Sequence, residues 1–548
     1  MKTRTALLPL ASILIAGCLD HPIAQVEICK VGTPELPIRL EENGDVDILF
    51  VIDNSGSMAE EQSRLARNFG AFAARLDQLG AHYRIGFTTT DAGNPRCGQT
   101  TPEGGDLVLR SCLDRLGEGA FQFNDVDAAY ACTDVCKLTG AELAVKASTA
   151  SGHEDGQEAR PRPWIERIDG VSNLPDGVSM VDAFACFGPQ GIDGCGFEQP
   201  LESMHLALQK ALEGSEANFG FLRDDALLSV IFVTDEADCS YEPAHSDIFT
   251  TDKTFWEDPN AMAPTSAVCW NAGVACRGPG PVYEGCEPED YGEDGTPGAA
   301  EGEAVLRPVS RYTEFLERIR AEKQAQGRDV LLSLIAGVPV GYGSSVSEIP
   351  YQDGAEGSTQ QRDFGIAPGC VGQDGSGSTA VPPVRERAVV EAFAGGENNL
   401  YSICEDDYTP ALEGIARQIA RALVPVCGKS MVADSDPSTE ALEPECKIQQ
   451  IVGGRTEDVV PCEPVGETEW AVPAGHSVCA VMLTDADGST PSKRDDMTVS
   501  VDPETGEAVV PCASAETNVE FKLKRSGPRV VGAEYSATCV SQAAERCE

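Results

Sequence analysis

The chain has 548 residues, with 88 acidic against 41 basic side chains and a formal net charge of −47. That length exceeds one ordinary compact domain, and 41% hydrophobic with 24% charged residues excludes wholesale disorder. The acidic excess excludes nucleic acid as a partner, because phosphate binding rests on Lys and Arg, and it favours cations and basic partners.

At the N-terminus, Lys2 and Arg4 precede an apolar run from Ala6 to Ala16, long enough for a signal-peptide core and too short to span a bilayer. It ends in Ile15-Ala16-Gly17-Cys18, which resembles a bacterial lipobox. The resemblance implies a signal peptide over 1–17, lipidation of Cys18, and a lipidated tether over 18–44. Leu19 follows where an aspartate would signal inner-membrane retention, so the implied location is the outer membrane of a Gram-negative envelope, periplasmic or surface-facing. Setting Cys18 aside leaves an even number of the 21 cysteines, as in an oxidised exported protein.

Val46 to Ile52 reads as a strand buried on both faces. A helix follows, with Leu65, Phe69, Phe72, Leu76 and Leu79 on one stripe and Gly80 as its stop. Tyr83 to Thr89 is a second strand, with Leu107 to Leu109 as its expected antiparallel partner. Leu227 to Thr234, Val330 to Ala336 and Leu400 to Ile403 repeat the buried-strand signature. Helices alternate with them. One opens at Pro200 with Leu201, Met204, Leu208 and Leu212 inward; another runs from Ser310 to Gln326 and ends at Gly327; the last opens at Thr409-Pro410 with Leu412, Ile415, Ile419 and Leu423 inward. The alternation predicts an α/β fold with a doubly wound, mainly parallel sheet. Gly/Pro/Cys-rich stretches over about 114–195, 239–305 and 338–398 read as disulfide-stapled insertions of this 45–427 domain. From 428 to 548 the helical pattern stops, and five short strand-like runs with six cysteines predict a small β-rich domain, a sandwich by its pattern.

The turn after the first strand, Asp53-Asn54-Ser55-Gly56-Ser57, presents one carboxylate and two hydroxyls at the sheet's C-terminal edge. Such hard oxygen ligands suit Mg²⁺, Mn²⁺ or Ca²⁺ rather than Zn²⁺. A second strand-end carboxylate stands downstream in Val233-Thr234-Asp235. This constellation resembles the von Willebrand factor type A domain with its metal-ion-dependent adhesion site, over roughly residues 45–425. The resemblance implies that Ser55 and Ser57 bind a divalent cation (Mg²⁺ or Ca²⁺) directly, Asp53 binds it through water and Asp235 completes the shell. A protein or glycan partner then occupies the open position. The family's middle-loop threonine has no match: its place reads Gly194-Cys195-Gly196-Phe197-Glu198-Gln199, where Glu198 or Gln199 substitutes. The same Glu198 also reads as an acidic residue favouring a helix N-terminus.

Other motifs carry less. Asp374-Gly-Ser376-Gly-Ser378 repeats the spacing without a preceding buried strand, and Ile451-Val-Gly-Gly454 lacks the rest of a serine protease. Asp290, Asp294, Gly295 and Glu301 match four positions of a calcium loop, but Gly292 and Pro297 break it. Asp91, Glu236 and Asp238 read as a solvated rim, with a second cation as the alternative. No H-E-x-x-H, G-x-S-x-G or P-loop occurs, and the six histidines are scattered, so the expectation is a binding protein without catalytic residues. An envelope scaffold whose metal only stabilises the fold is the alternative.

Topology also predicts disulfides. Cys404 ends a parallel strand and Cys427 ends the helix running back, about 25–30 Å away, too far to bond. Cys29 precedes the first strand, at the Cys427 end, so the expected bridges are Cys29–Cys427 and Cys404 with Cys239 or Cys370.

Overall fold

The computed structural model describes residues 28–30, 33–34, 38–40, 44–541 and 544–546, apart from 79–80, 125, 149–158, 169, 215, 225, 325–327, 373–377, 396–397, 424–425, 437, 440, 453, 466–468, 502–507 and 526–533. Cys18, the signal and lipobox residues, Leu79, Gly80, Gly327 and Asp374 lie outside the described residues, as does the side chain of Cys29.

The first strand, β1 (Asp45–Ile52), is buried along its whole length because it pairs in parallel on both sides. It runs into α1 (Ala59–Gln78), then β2 (His82–Thr89), β3 (Ile165–Ile168), β4 (Val171–Ser172), α2 (Met180–Phe187), α3 (Pro200–Leu212) and β5 (Leu227–Val233). After these come α4 (Val309–Gln324), β6 (Val330–Ala336), α5 (Val384–Val390), β7 (Leu400–Ser402) and α6 (Thr409–Ala422). The sheet order is β7-β6-β5-β1-β2-β3-β4, parallel from β7 to β2 and antiparallel at β3 and β4. Side chains of β1 alternate between two cores. Ile48, Phe50 and Ile52 meet Leu65, Phe69, Phe72 and Leu76 of α1 and the apolar stripe of α6 on one face. Leu49 and Val51 meet Leu201, Met204 and Leu208 of α3 and Tyr312, Leu316 and Ile319 of α4 on the other. Helices thus cover both faces, as the alternation requires. Leu212 departs from its expected inward place and is among the exposed apolar side chains, because α3 ends there and Glu213 turns to extended backbone.

The antiparallel partner of β2 is not the expected Leu107 to Leu109 but β3, inside the first insertion. Val108 N donates to Phe87 O at 2.8 Å, so that run touches β2 without forming a ladder. β3 takes the place beside β2, where Arg84 of β2, fully buried, finds a countercharge. Glu166 of β3 accepts from it at 3.1 Å and also from the Trp164 indole at 3.0 Å.

The insertions are stapled by Cys112–Cys132, Cys136–Cys186, Cys239–Cys269 and Cys276–Cys286, while Cys97–Cys195 and Cys370–Cys404 tie insertions to the sheet's C-terminal edge. Cys404 therefore takes Cys370, one of its two expected partners. The expected Cys29–Cys427 bridge does not form, since Cys427 bonds Cys512.

The C-terminal region supplies β8 (Val426–Cys427), β9 (Cys446–Val452), β10 (Arg455–Asp458), β11 (Val460–Pro461), β12 (Val478–Leu483), β13 (Glu520–Arg525) and β14 (Glu534–Ser541). One sheet has the order β8-β13-β12-β11, and a second contains β10, β9 and β14. Ile448, Tyr535 and Ala537 of one meet Val478, Ala480 and Phe521 of the other in a common core, the sandwich arrangement. Segments 33–34 and 38–39, within the stretch expected to be a tether, instead pair with β14, and Ile38 and Leu40 enter this core. Among the described residues no helix is long and apolar enough to cross a membrane.

Candidate metal centre

Strand register builds the site. Ile52 of β1 stands opposite Thr89 of β2 and Val233 of β5, so the residues immediately after them, Asp53, Thr90 and Thr234, emerge side by side at the C-terminal edge. Backbone bonds continue the ladder there: Asp53 N donates to Val233 O at 2.9 Å and Thr90 N to Ile52 O at 3.2 Å. Open α/β sheets place ligand sites at this edge.

The 53–57 turn closes on itself. Asp53 Oδ1 accepts from Ser55 N at 2.8 Å, and its Oδ2 accepts from the Thr234 hydroxyl at 2.6 Å. The Ser55 and Ser57 hydroxyls lie 3.2 Å apart, and Ser57 faces Asp235. Gln62, one turn into α1, donates to Asp53 O at 2.7 Å and to Gly191 O at 2.8 Å. It thereby clamps the first insertion onto the turn.

Glu198 reaches the same place from the other side. Its segment is held by the Cys97–Cys195 bridge, by Cys239 N donating to Glu198 O at 2.6 Å, and by Gln199 N donating to Thr90 O at 2.9 Å. The Glu198 side chain is fully buried, and its Oε2 accepts a short hydrogen bond from the Thr90 hydroxyl. Gln199 points elsewhere, donating to Gly93 O at 2.7 Å. Between the two residues considered for the threonine's position, the chain turns Glu198 toward Asp53. Gln199 occupies the cap of α3 and Glu198 directly precedes it, so Glu198 stands at the helix N-terminus as well as beside the turn.

The electrostatics are those of crowded, dehydrated carboxylates. Burial, and then the neighbouring charges of Asp53 and Glu236, push Glu198 and Asp235 well above the usual carboxylate range. Burial also raises Asp53, against the hydrogen bonds from Thr234 and Ser55. Glu236 is pushed up to about 8 by burial and by Asp53. Two carboxylate oxygens, Glu198 Oε1 and Asp235 Oδ1, are buried without a hydrogen-bond partner. So is Oδ1 of Asn54, beside the turn. Unpaired acceptors of this kind are costly unless a cation or proton satisfies them. All the donors are hard oxygens, which fits a Mg²⁺- or Ca²⁺-type ion.

Asp91, Glu236 and Asp238 are buried, not a solvated rim. Asp91 accepts from Gly93 N at 2.9 Å and Cys195 N at 3.3 Å, and Asp238 pairs with Arg385 at 3.0 Å, so both are consumed internally. Cys112, Cys132 and Cys136 bring three sulfurs within 4.8 Å of one another, but each belongs to a disulfide and offers no thiolate. The 290–301 loop is closed by its own bonds, Gly292 N donating to Thr296 O and Thr296 N to Asp294 Oδ1, and follows a strand, Gly285–Pro288, rather than a helix. Ile451 and Val452 end β9 at its hairpin turn. Sequence reasoning missed Thr90, Thr234 and Glu236 as parts of the site. Their only trace in the sequence is position, in Thr89-Thr90-Asp91 and Thr234-Asp235-Glu236 at strand ends, and the register that matches those ends shows only in the folded sheet.

No protein-family model and no curated protein matches the chain. Among solved structures it is similar to the pilus adhesin SpaC from Lactobacillus rhamnosus GG, at 7% identity and a TM-score of 0.26 over 92% of this chain and 40% of that one. The open conformation of SpaC gives 8% and 0.27. The pilus adhesin RrgA from Streptococcus pneumoniae gives 8% and 0.24, over 93% of this chain and 58% of that one. The chain spans 40% of the SpaC length, and at TM-scores this low no residue correspondence follows.

Proposed function

We propose that this chain is an envelope lipoprotein whose α/β domain is of von Willebrand factor type A kind, with a divalent cation bound at the 53–57 turn. Asp53, Ser55, Ser57 and Asp235 would hold Mg²⁺ or Ca²⁺, with Glu198 in place of the usual threonine. Through that ion the domain would capture a protein or glycan partner, in a binding role rather than a catalytic one. A bound cation would supply a Lewis-acidic anchor for an oxygen of the partner.

The observation that carries the reading is the pair of buried, unpartnered carboxylate oxygens, Glu198 Oε1 and Asp235 Oδ1, set beside Asp53. Uncompensated carboxylates at such a depth cost several kcal/mol, on the order of 3–5, and a hard cation offsets that cost. Titration calorimetry with Mg²⁺ and Ca²⁺ on the purified protein and on Asp53→Ala tests it. Saturable binding lost in the variant supports the reading, and equal heats in both defeat it. Capture from envelope extract that disappears with chelator separates adhesion from a scaffold in which the ion raises only the melting temperature.

The lipid anchor belongs to the same proposal and has its own test. Cys18→Ala should yield an unprocessed or soluble form, and unchanged membrane association with normal processing would remove the anchor from the account.

A further inference from the structure

Beside the 53–57 turn, the first insertion raises a small hairpin, Gln122–Phe123 paired with Val126–Asp127. Its base is fixed. Phe121 and Ala128 are buried, Ala128 N donates to Phe121 O at 2.9 Å, Ile192 N donates to Ala120 O at 2.6 Å, and the Cys112–Cys132 bridge brackets the whole segment. Two of its strand residues are apolar and open to solvent, Phe123 42% and Val126 53% exposed, and Tyr130 of the short helix that follows is 40% exposed. The Phe123 ring lies on the backbone of Gly56, between the two serines of the turn. A Cβ built on Gly56 would sit 2.4, 2.7 and 2.9 Å from three ring carbons. Glycine at 56 is therefore what lets an aromatic ring lie against the turn itself.

Charge decides what such a site accepts. Asp53, bonded to Thr234, Glu198, bonded to Thr90, and Asp235, next to Thr234, meet at the ends of register-matched strands, three carboxyl ligands for one divalent ion. A further carboxylate from a partner is repelled, whereas neutral hydroxyl oxygens enter the shell of a hard cation without that cost. A pyranose ring offers both halves of the match: adjacent hydroxyls on its edge for the ion, and a face of C–H groups for the electron-rich face of a phenyl ring. We infer that the partner is a neutral glycan, its hydroxyls directed to the cation at Ser55 and Ser57 and its C–H face stacked on Phe123. This rests on the cation reading above and narrows its partner to one class.

The test uses the full exported protein with Ca²⁺ on an array of neutral oligosaccharides, uronate-bearing counterparts and immobilised gelatin, with Ca²⁺ calorimetry run in parallel. The expected result is Ca²⁺-dependent capture of neutral glycans. Phe123→Ala should weaken it about tenfold, the ratio that ~1.4 kcal/mol gives, while Phe123→Trp retains it and both variants keep the wild-type Ca²⁺ affinity. Ca²⁺ heats without capture of any neutral glycan would overturn the inference and leave the cation reading standing. Preference for uronates or gelatin, capture unchanged by chelator, or Phe123→Ala binding like wild type would overturn it as well. Absence of Ca²⁺ heats would overturn the inference, and absence of Mg²⁺ heats as well would remove the cation reading with it.

Discussion

The Thr234 hydroxyl donates a 2.6 Å hydrogen bond to Oδ2 of Asp53, joining the ends of the two central parallel strands. With Oδ1 held by Ser55 N, the Asp53 carboxylate has one orientation, set by backbone on one side and a neighbouring strand on the other. Thr234→Val keeps the shape and deletes the donor. Its expected effect is a stability loss of about 1.5–3 kcal/mol, typical of a bond to a charged group, with a parallel fall in cation affinity. Urea denaturation and metal calorimetry on the same sample check both.

In the proposed site Glu198 stands in for a neutral threonine, which would leave an ion more of its positive charge. As an acidic ligand it should tighten metal binding, tolerate Ca²⁺, and weaken dependence on a partner's carboxylate. Glu198→Thr is expected to lower Mg²⁺ and Ca²⁺ affinity while improving capture of acidic ligands. Equal affinities in the two proteins would place Glu198 outside the coordination shell.

Glu386, in the first turn of α5, is wholly buried. Burial and then the charge of Asp238 push its carboxyl up to about 8, against the opposing influence of Arg385. A carboxyl whose folded value is raised contributes stability that is complete below its ordinary value of 4.5 and lost as pH rises through about 8. Glu386→Gln mimics the protonated form at every pH. The melting temperatures of wild type and variant should therefore agree near pH 4.5 and separate by pH 9, with the variant higher. Parallel curves across that range would show that Glu386 ionises in the fold without penalty.

The Cys370–Cys404 bridge spans 34 residues and ties the third insertion to the end of β7. Loop-closure entropy gives about 3–4 kcal/mol for a span of that size. The double variant Cys370→Ala/Cys404→Ala should lose that order of stability in denaturant. Non-reduced peptide mapping should recover Cys370 with Cys404 and Cys427 with Cys512. Recovery of Cys404 with Cys427 would contradict the sheet topology.

The parts of the fold that were legible are those with one physical demand on every residue. β1, β5 and β6 are buried on both faces and read as unbroken apolar runs, and α1 and α4 carry full apolar stripes. The antiparallel strand β3 was not legible, because its place beside β2 is marked by a distant partner, the buried Arg84, rather than by its own pattern. Cys427 was correctly separated from Cys404, but its partner Cys512 lies in the sandwich, whose β13 pairs with β8. In the candidate site, Asp53, Ser55, Ser57 and Asp235 follow buried strands, and it is that context together with the family resemblance, not the spacing alone, that marks them in the sequence. Thr90 and Thr234 are not so marked, since their role comes from strand register, which the sequence leaves open until the order of strands is known.

Diffraction from crystals soaked in Mn²⁺ measures the central claim most directly, because the anomalous signal locates the ion itself. The account predicts a peak within coordination distance of the Ser55 and Ser57 hydroxyls and of the Glu198 carboxylate. No peak there at saturating Mn²⁺, or one confined to the 290–301 loop, would contradict it.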